Sequence, residues 1–173
     1  MKDPYDKYQQ QLLEHLDPAM NLACWLLRNR IDAEDAVQTA YVKALQAFTT
    51  YRGGNIKAWF LKIVRNTCLT HLQTTARQRQ NILNFQDLPG LSQDLQGHTQ
   101  IAKSEANYDL SKAIMNLSSE HKEVIILREI EGFSYAQIAE ITGIPKGTVM
   151  SRLARARAAL QKDLTSALQE RHK

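Results

Sequence analysis

Lys146, Thr148, Ser151, Arg152 and Arg155 carry, within ten residues, the cations and hydroxyls that neutralise phosphate and hydrogen-bond to base edges. No Asp or Glu interrupts this basic run, which continues through Arg157 and Lys162 before Asp163. A second group combines hydroxyl, aromatic, basic and amide side chains. Thr49, Tyr51, Arg52 and Asn55 share a loop with Gly53 and Gly54, and Trp59, Lys62, Arg65 and Asn66 follow. Aromatic faces stack on unpaired bases, Lys and Arg neutralise phosphate, and Thr or Asn can hydrogen-bond to exposed base edges. A third group is acidic and amide-bearing: Asp32, Glu34, Asp35 and Gln38. Asp32 suits an N-cap, Glu34 and Asp35 suit a first helical turn, and the same face could receive basic side chains of a protein partner.

These side chains need helices to hold them. Val149, Leu153, Ala156 and Leu160 recur at three- and four-residue steps, which predicts a helix that buries them and turns Lys146, Thr148, Ser151, Arg152 and Arg155 outward. Ile138, Ala139, Ile141 and Ile144 predict a shorter helix before it. Gly143 is suited to a left-handed cap, and Pro145 cannot continue the first helix but is shaped to open the next. Together these features predict a helix-turn-helix that places the basic helix in a major groove.

The rest of the chain also reads as helix. Apolar spacing predicts helices near residues 5–16, 18–30, 33–48, 56–75, 104–117, 119–131, 134–142 and 146–168. On the third, Val37, Ala40, Tyr41, Ala44, Leu45 and Phe48 form the expected buried side. On the fourth, Ile56, Phe60, Ile63 and Val64 pack inward with Trp59 at their edge. Between Thr74 and Asp109 the periodicity fades, and glutamines and asparagines gather around Pro89, Gly90 and Gly97, a composition that suits a flexible connector. The expected fold class is all-α: a helical domain over 1–75, a polar linker over 76–110, and a helix-turn-helix domain over 111–173.

Composition narrows the function classes. Of 173 residues 43% are apolar, enough for packed cores, and the net charge is +4. The basic excess lies in residues 1–73 and 111–173, while the middle is slightly acidic. So modest an excess fits local contact with DNA beside a protein partner, not a coat of charge. The opening MKDPYDKYQQ has no signal-peptide core and no later run could span a bilayer, so a cytoplasmic location is expected. Cys24 and Cys68 fall in apolar helical patterns and read as reduced thiols. Cys68 and His71 have the spacing of a metal pair, but no second pair exists, and no metal or other cofactor is expected. The five histidines are scattered, and no nucleophile motif or phosphate-binding glycine loop appears, so an enzyme is not expected.

Three blocks in order resemble the extracytoplasmic-function (ECF) group of bacterial RNA polymerase sigma factors. DAEDAVQTAYVKAL at Asp32 to Leu45 is similar to the family's second region, AWFLKIVRN at Ala58 to Asn66 to its promoter-melting segment, and Leu117 to Leu160 to its fourth region. The resemblance implies that Asp32, Glu34, Asp35 and Gln38 contact core RNA polymerase. It implies that Thr49, Tyr51, Arg52, Asn55, Trp59, Lys62, Arg65 and Asn66 engage the opened minus-10 strand. Lys146, Thr148, Ser151, Arg152 and Arg155 would sit in the minus-35 duplex, with Ser134 and Tyr135 near phosphates. Promoter DNA, core polymerase and an anti-sigma factor are the implied partners, and a monomer would suffice. The chain departs from the family in offering Thr70 and Gln73 where an Asp and an Arg often follow the RN pair, which weakens the basic patch there. No regulatory domain is expected beyond the basic helix. The rival reading is a polymerase-independent helix-turn-helix regulator, which would dimerise on a palindrome.

Overall fold

The computed structural model describes residues 3–83 and 105–171, and side chains at 3–78 and 109–169. All regular structure among the described residues is helical, in two compact units that divide between Gly97 and His98. The first unit holds α1 (Pro4–Leu13), α2 (Leu16–Leu27), α3 (Arg30–Gln46), a short 3₁₀ turn (Phe48–Thr50) and α4 (Ile56–Leu83). The second holds α5 (Glu105–Asn116), α6 (Ser119–Ile125), α7 (Tyr135–Thr142) and α8 (Lys146–Arg171).

In the first unit α2, α3 and α4 pack on one another around Leu12, Leu22, Phe60, Leu61 and Val64, which exclude solvent completely. Helix α3 contributes small side chains: Ala33, Ala36, Ala40 and Ala44 are buried with Val37, and their size lets neighbouring helices approach closely. Tyr41, Leu45 and Phe48, expected on the buried side, are only half-buried, because the alanine stripe is what faces the core.

Two boundaries differ from the sequence reading. Arg28 adopts a left-handed conformation (φ 56°), its N–H donating to the Cys24 carbonyl, and this ends α2 without a glycine. Asn29 then caps α3, its Oδ1 accepting from the Asp32 N–H at 3.2 Å. Asp32 is therefore not the N-cap: the helix starts at Arg30, and Asp32 sits in its first turn. The second difference is α4, which runs to Leu83, so residues 76–83 of the expected linker are helical. Residues 84–104 of that linker lie outside the described residues, and α5 takes up 105–110.

In the second unit Val124, Ile126, Leu127, Phe133, Ile138, Ile141, Val149, Leu153 and Ala156 form the core. Helix α6 does not stay α-helical to residue 131 as expected. Residues Ile126–Ile130 wind into a π turn, with the Glu131 N–H donating to the Ile126 carbonyl at 3.0 Å. Helix α7 opens on a reciprocal cap: Ser134 Oγ accepts from the Gln137 N–H at 3.2 Å, and Gln137 Oε1 accepts from the Ser134 N–H at 2.8 Å. Replacing Ser134 with Ala is expected to lower the stability of this unit by about 1 kcal/mol. The check is amide exchange of α7 at matched temperature, where protection should fall in α7 before it falls in α8.

Gly143 ends α7 in the left-handed region (φ 72°), and its N–H donates to the Ala139 carbonyl at 2.8 Å. Pro145 precedes α8, and its carbonyl accepts from the Val149 N–H at 3.0 Å. The turn between the helices is the one that Gly143 and Pro145 predict.

Candidate functional site

Helix α8 is oriented by its buried side. Val149, Leu153 and Ala156 point into the core, and Leu160 is half-buried, which leaves Lys146, Ser151 and Arg155 in solvent with Thr148 partly covered. Ser151 Oγ donates to the Thr148 carbonyl at 3.0 Å. Arg155 makes no ion pair among the described residues, so its guanidinium is available to a ligand.

Arg152 differs from its neighbours. Its side chain is only 20% exposed and pairs with Glu120 at 3.0 Å, tying α8 to α6. Arg157 stays exposed but is paired along the unit's surface. Its Nη2 and Nε donate to Glu129 Oε1 at 2.6 and 3.1 Å, and the Glu129 and Tyr135 hydrogen bonds raise its affinity for the proton above the ordinary. Tyr135 lies under the Arg128 guanidinium, 4.9 Å from ring centre to carbon. Ser134 is committed to capping α7. The sequence reading missed Met150, which is 50% exposed on the same helix beside Lys146 and Ser151. Its position one residue after the buried Val149 was the available signal.

In the first unit Glu34, Asp35 and Gln38 are exposed along α3, and Asp32 is half-buried. Arg30 Nε donates to Glu34 Oε1 at 2.7 Å, and His71 Nε2 on α4 lies 3.5 Å from Asp32 Oδ2. Asp35 and Gln38 are the least encumbered pair. Two apolar residues that the sequence reading passed over flank them: Ile31 is 71% exposed and Val42 is 51% exposed. Residues 31, 35, 38 and 42 share one helical face, so spacing alone could have found it. An exposed apolar, acidic and amide-bearing face suits docking of another protein.

The loop after α3 is held by its own side chains. Thr50 Oγ1 donates to the Ala47 carbonyl at 2.8 Å, and the Tyr51 hydroxyl donates to the Gly54 carbonyl at 2.9 Å. Gly53 and Gly54 adopt φ of 86° and 100°, which a side chain would resist. Asn55 Oδ1 accepts from the Ala58 N–H at 3.0 Å, so Asn55 caps α4 and that oxygen is not open to a base. Thr49, Arg52, Lys62 and Asn66 are exposed, and Arg65 is half-buried with its Nη1 3.5 Å from Asn66 Oδ1.

Trp59 is half-buried and does not stand alone. Its ring centre lies 5.1 Å from Tyr51 and 6.1 Å from Tyr8. Tyr8 in turn contacts Phe48 at 4.9 Å, and Tyr5 meets Phe48 edge-on at 5.2 Å. The Tyr8 hydroxyl is buried and donates to the Ala44 carbonyl at 2.5 Å. Burial is the main reason that its pKa is pushed up to about 12. A tyrosine that holds its proton more tightly when folded stabilises the fold fully below the unfolded value of about 10. That contribution is lost as pH climbs from there through about 12. Tyr8→Phe is expected to flatten part of the alkaline loss of stability in the first unit, as read by thermal melting followed through tryptophan fluorescence.

Cys24 and Cys68 are free thiols, and burial raises the pKa of Cys24. No cluster of three metal-ligating side chains exists among the described residues, and no described helix is long and apolar enough to cross a membrane.

Comparison with known proteins places the chain in a family. Residues 12–78 match Sigma-70 region 2, and residues 108–160 match Sigma-70, region 4. The RNA polymerase sigma factor SigV of Bacillus subtilis is 32% identical over 155 residues, covering 89% of this chain and 89% of SigV. The ECF RNA polymerase sigma factor SigE of Mycolicibacterium smegmatis is 29% identical over 150 residues, which is 86% of this chain but 58% of SigE. The sigma factor RpoE, solved in complex with the anti-sigma factor NepR from Bartonella quintana, has a similar structure. It gives a TM-score of 0.75 at 32% identity, covering 92% of this chain and 97% of that one. Both matched regions stand in the family's order, and the identity extends across most of each chain. The chain therefore belongs to the ECF group of RNA polymerase sigma factors, non-catalytic proteins that give transcription initiation its promoter specificity.

Proposed function

We propose that this chain docks on core RNA polymerase through the α3 face carrying Asp32, Glu34, Asp35 and Gln38, with Ile31 and Val42 adding apolar area. The first unit then captures the opened minus-10 strand with Thr49, Tyr51, Arg52, Asn55, Trp59, Lys62, Arg65 and Asn66. The second reads the minus-35 duplex with Lys146, Thr148, Ser151, Arg152 and Arg155, while Ser134 and Tyr135 lie near phosphates. The observation that carries this reading is the division of α8: a core stripe on one side, and on the other a basic face free of Asp and Glu from Lys146 to Lys162, with Arg155 in no ion pair among the described residues.

The protein makes and breaks no covalent bond. Tethering to one polymerase raises the effective concentration of each DNA-reading surface for its element, so two modest contacts act together. Capture of an unpaired base offsets part of the cost of opening the duplex, a few kcal/mol for each extruded base. The free protein is a cytoplasmic monomer, since one copy suffices for each polymerase. RpoE of Bartonella quintana is bound by an anti-sigma factor. We infer that this chain is restrained in the same way.

The test is run-off transcription by core polymerase with the purified full chain on a genomic promoter pool. New, promoter-specific transcripts are expected. A symmetric footprint by a dimer without polymerase, and no added transcripts, would instead mark a polymerase-independent regulator. Within the active system, Trp59→Ala with Asn66→Ala is expected to slow open-complex formation about tenfold while sparing polymerase binding, the size of one lost base-stacking contact. Equal loss of both activities would refute the division of labour.

A further inference from the structure

We propose that Tyr8, on α1, is a positioning residue for strand capture: its ring sets where Tyr51 and Trp59 stand. The inference rests on the strand-capture reading above and adds to it a helix that no residue of the capture group belongs to.

Tyr8 is the ring shared by the cluster. It contacts Phe48 at 4.9 Å, Tyr51 at 5.6 Å and Trp59 at 6.1 Å, whereas Tyr5 reaches only Phe48. It is 3% exposed, so it cannot itself stack on a base. Its hydroxyl is anchored to the Ala44 carbonyl in the last turns of α3, the helix that carries the acidic docking face. One side chain thus joins α1, α3, the loop and α4. Hydrogen bonds from Thr50 and Tyr51 hold the loop only to itself and to the end of α3, two left-handed glycines lie between Tyr51 and the cap of α4 at Asn55, and the Tyr8 ring supports Tyr51 from outside the loop. A glycine pair leaves the backbone many conformations, and a fixed ring removes most of them before a base arrives. Tyr51 and Trp59 touch each other at 5.1 Å, so the aromatic surface moves as a unit when its support moves.

The experiment uses the full chain bound to core polymerase and labelled with 5-fluorotryptophan. Trp25, in the core of α2, serves as an internal control for folding. The ligand is a fluorescent single strand copied from the non-template strand of a promoter that the wild-type holoenzyme transcribes. Tyr8→Leu is expected to shift the Trp59 fluorine signal, leave that of Trp25 in place, and weaken binding of the strand about tenfold. Affinity for core polymerase should not change. Tyr8→Phe keeps the ring and the fold but loses the anchor, and should weaken strand binding about threefold, the size of one neutral hydrogen bond.

A role in general stability would move the Trp25 signal and polymerase affinity together with strand binding, and that result would overturn the proposal. So would unchanged strand affinity in both variants. If the wild-type holoenzyme itself ignored the single strand, the underlying capture reading would fail, which is a different result from a wild type that binds and variants that bind equally well.

Discussion

Phe60→Ala is expected to cost the first unit about 3–5 kcal/mol. Phe60 is completely buried between α2, α3 and α4, next to Leu61 and Val64, with Tyr41 edge-on at 6.5 Å. Truncation removes the transfer free energy of a whole ring and leaves a cavity that three packed helices cannot close. A loss of that size is a large fraction of the stability of a small domain. Both tryptophans, Trp25 and Trp59, lie in the first unit, so denaturant unfolding followed by their fluorescence reports on that unit alone. The midpoint should fall sharply for the variant. The far-ultraviolet signal of the second unit should persist to the wild-type midpoint. A shift worth less than about 1 kcal/mol would mean that the core is looser around Phe60 than its burial indicates.

Arg155→Glu is expected to have the largest effect on promoter choice without an effect on folding. Arg155 is exposed on the outward face of α8 and makes no ion pair among the described residues, so the described fold loses no such contact when it is replaced. Against DNA the change removes a cation and places a carboxylate where phosphates and base acceptors crowd, which costs several kcal/mol. Duplex affinity of the holoenzyme for a minus-35 element should drop about a hundredfold, and Arg155→Ala should give the milder loss of about tenfold. The salt dependence of binding should become shallower in the alanine variant by about one counterion if the contact is to phosphate. Retention of minus-35-dependent transcription by Arg155→Glu would mean that another face of this unit meets the duplex. Arg152 does not give so clean a test, because replacing it also breaks the pair with Glu120 that ties α8 to α6.

How much was legible beforehand depends on how local the determining forces are. The turn at Gly143 and Pro145 is set by backbone sterics and by the absence of an N–H, both properties of single residues, and the structure forms that turn. The face of α8 follows from periodicity, since whatever buries Val149, Leu153 and Ala156 must expose Ser151 and Arg155. The start of α3 was less legible. Asn29 and Asp32 are both good caps, and the left-handed Arg28, which decided between them, carries no signal comparable to a glycine.

Side-chain roles were harder still, because a residue type announces its capacity and not its engagement. Asn55 has the amide to read a base edge, yet in the folded chain its oxygen caps α4. Arg152 has the charge for phosphate, yet Glu120 lies 3.0 Å away. Tyr8 belongs to a stretch that reads only as an amphipathic helix, and its contact with Trp59 spans fifty-one positions.

From the sequence alone came the all-helical class, the basic helix and its turn, and the family, because propensity, periodicity and motif order act over a few residues at a time. Which cations stay free, which amides are spent on caps, and which aromatic ring supports the loop were decided only by tertiary structure. Those outcomes depend on distances between residues far apart in the chain, and packing fixes such distances where local preference cannot.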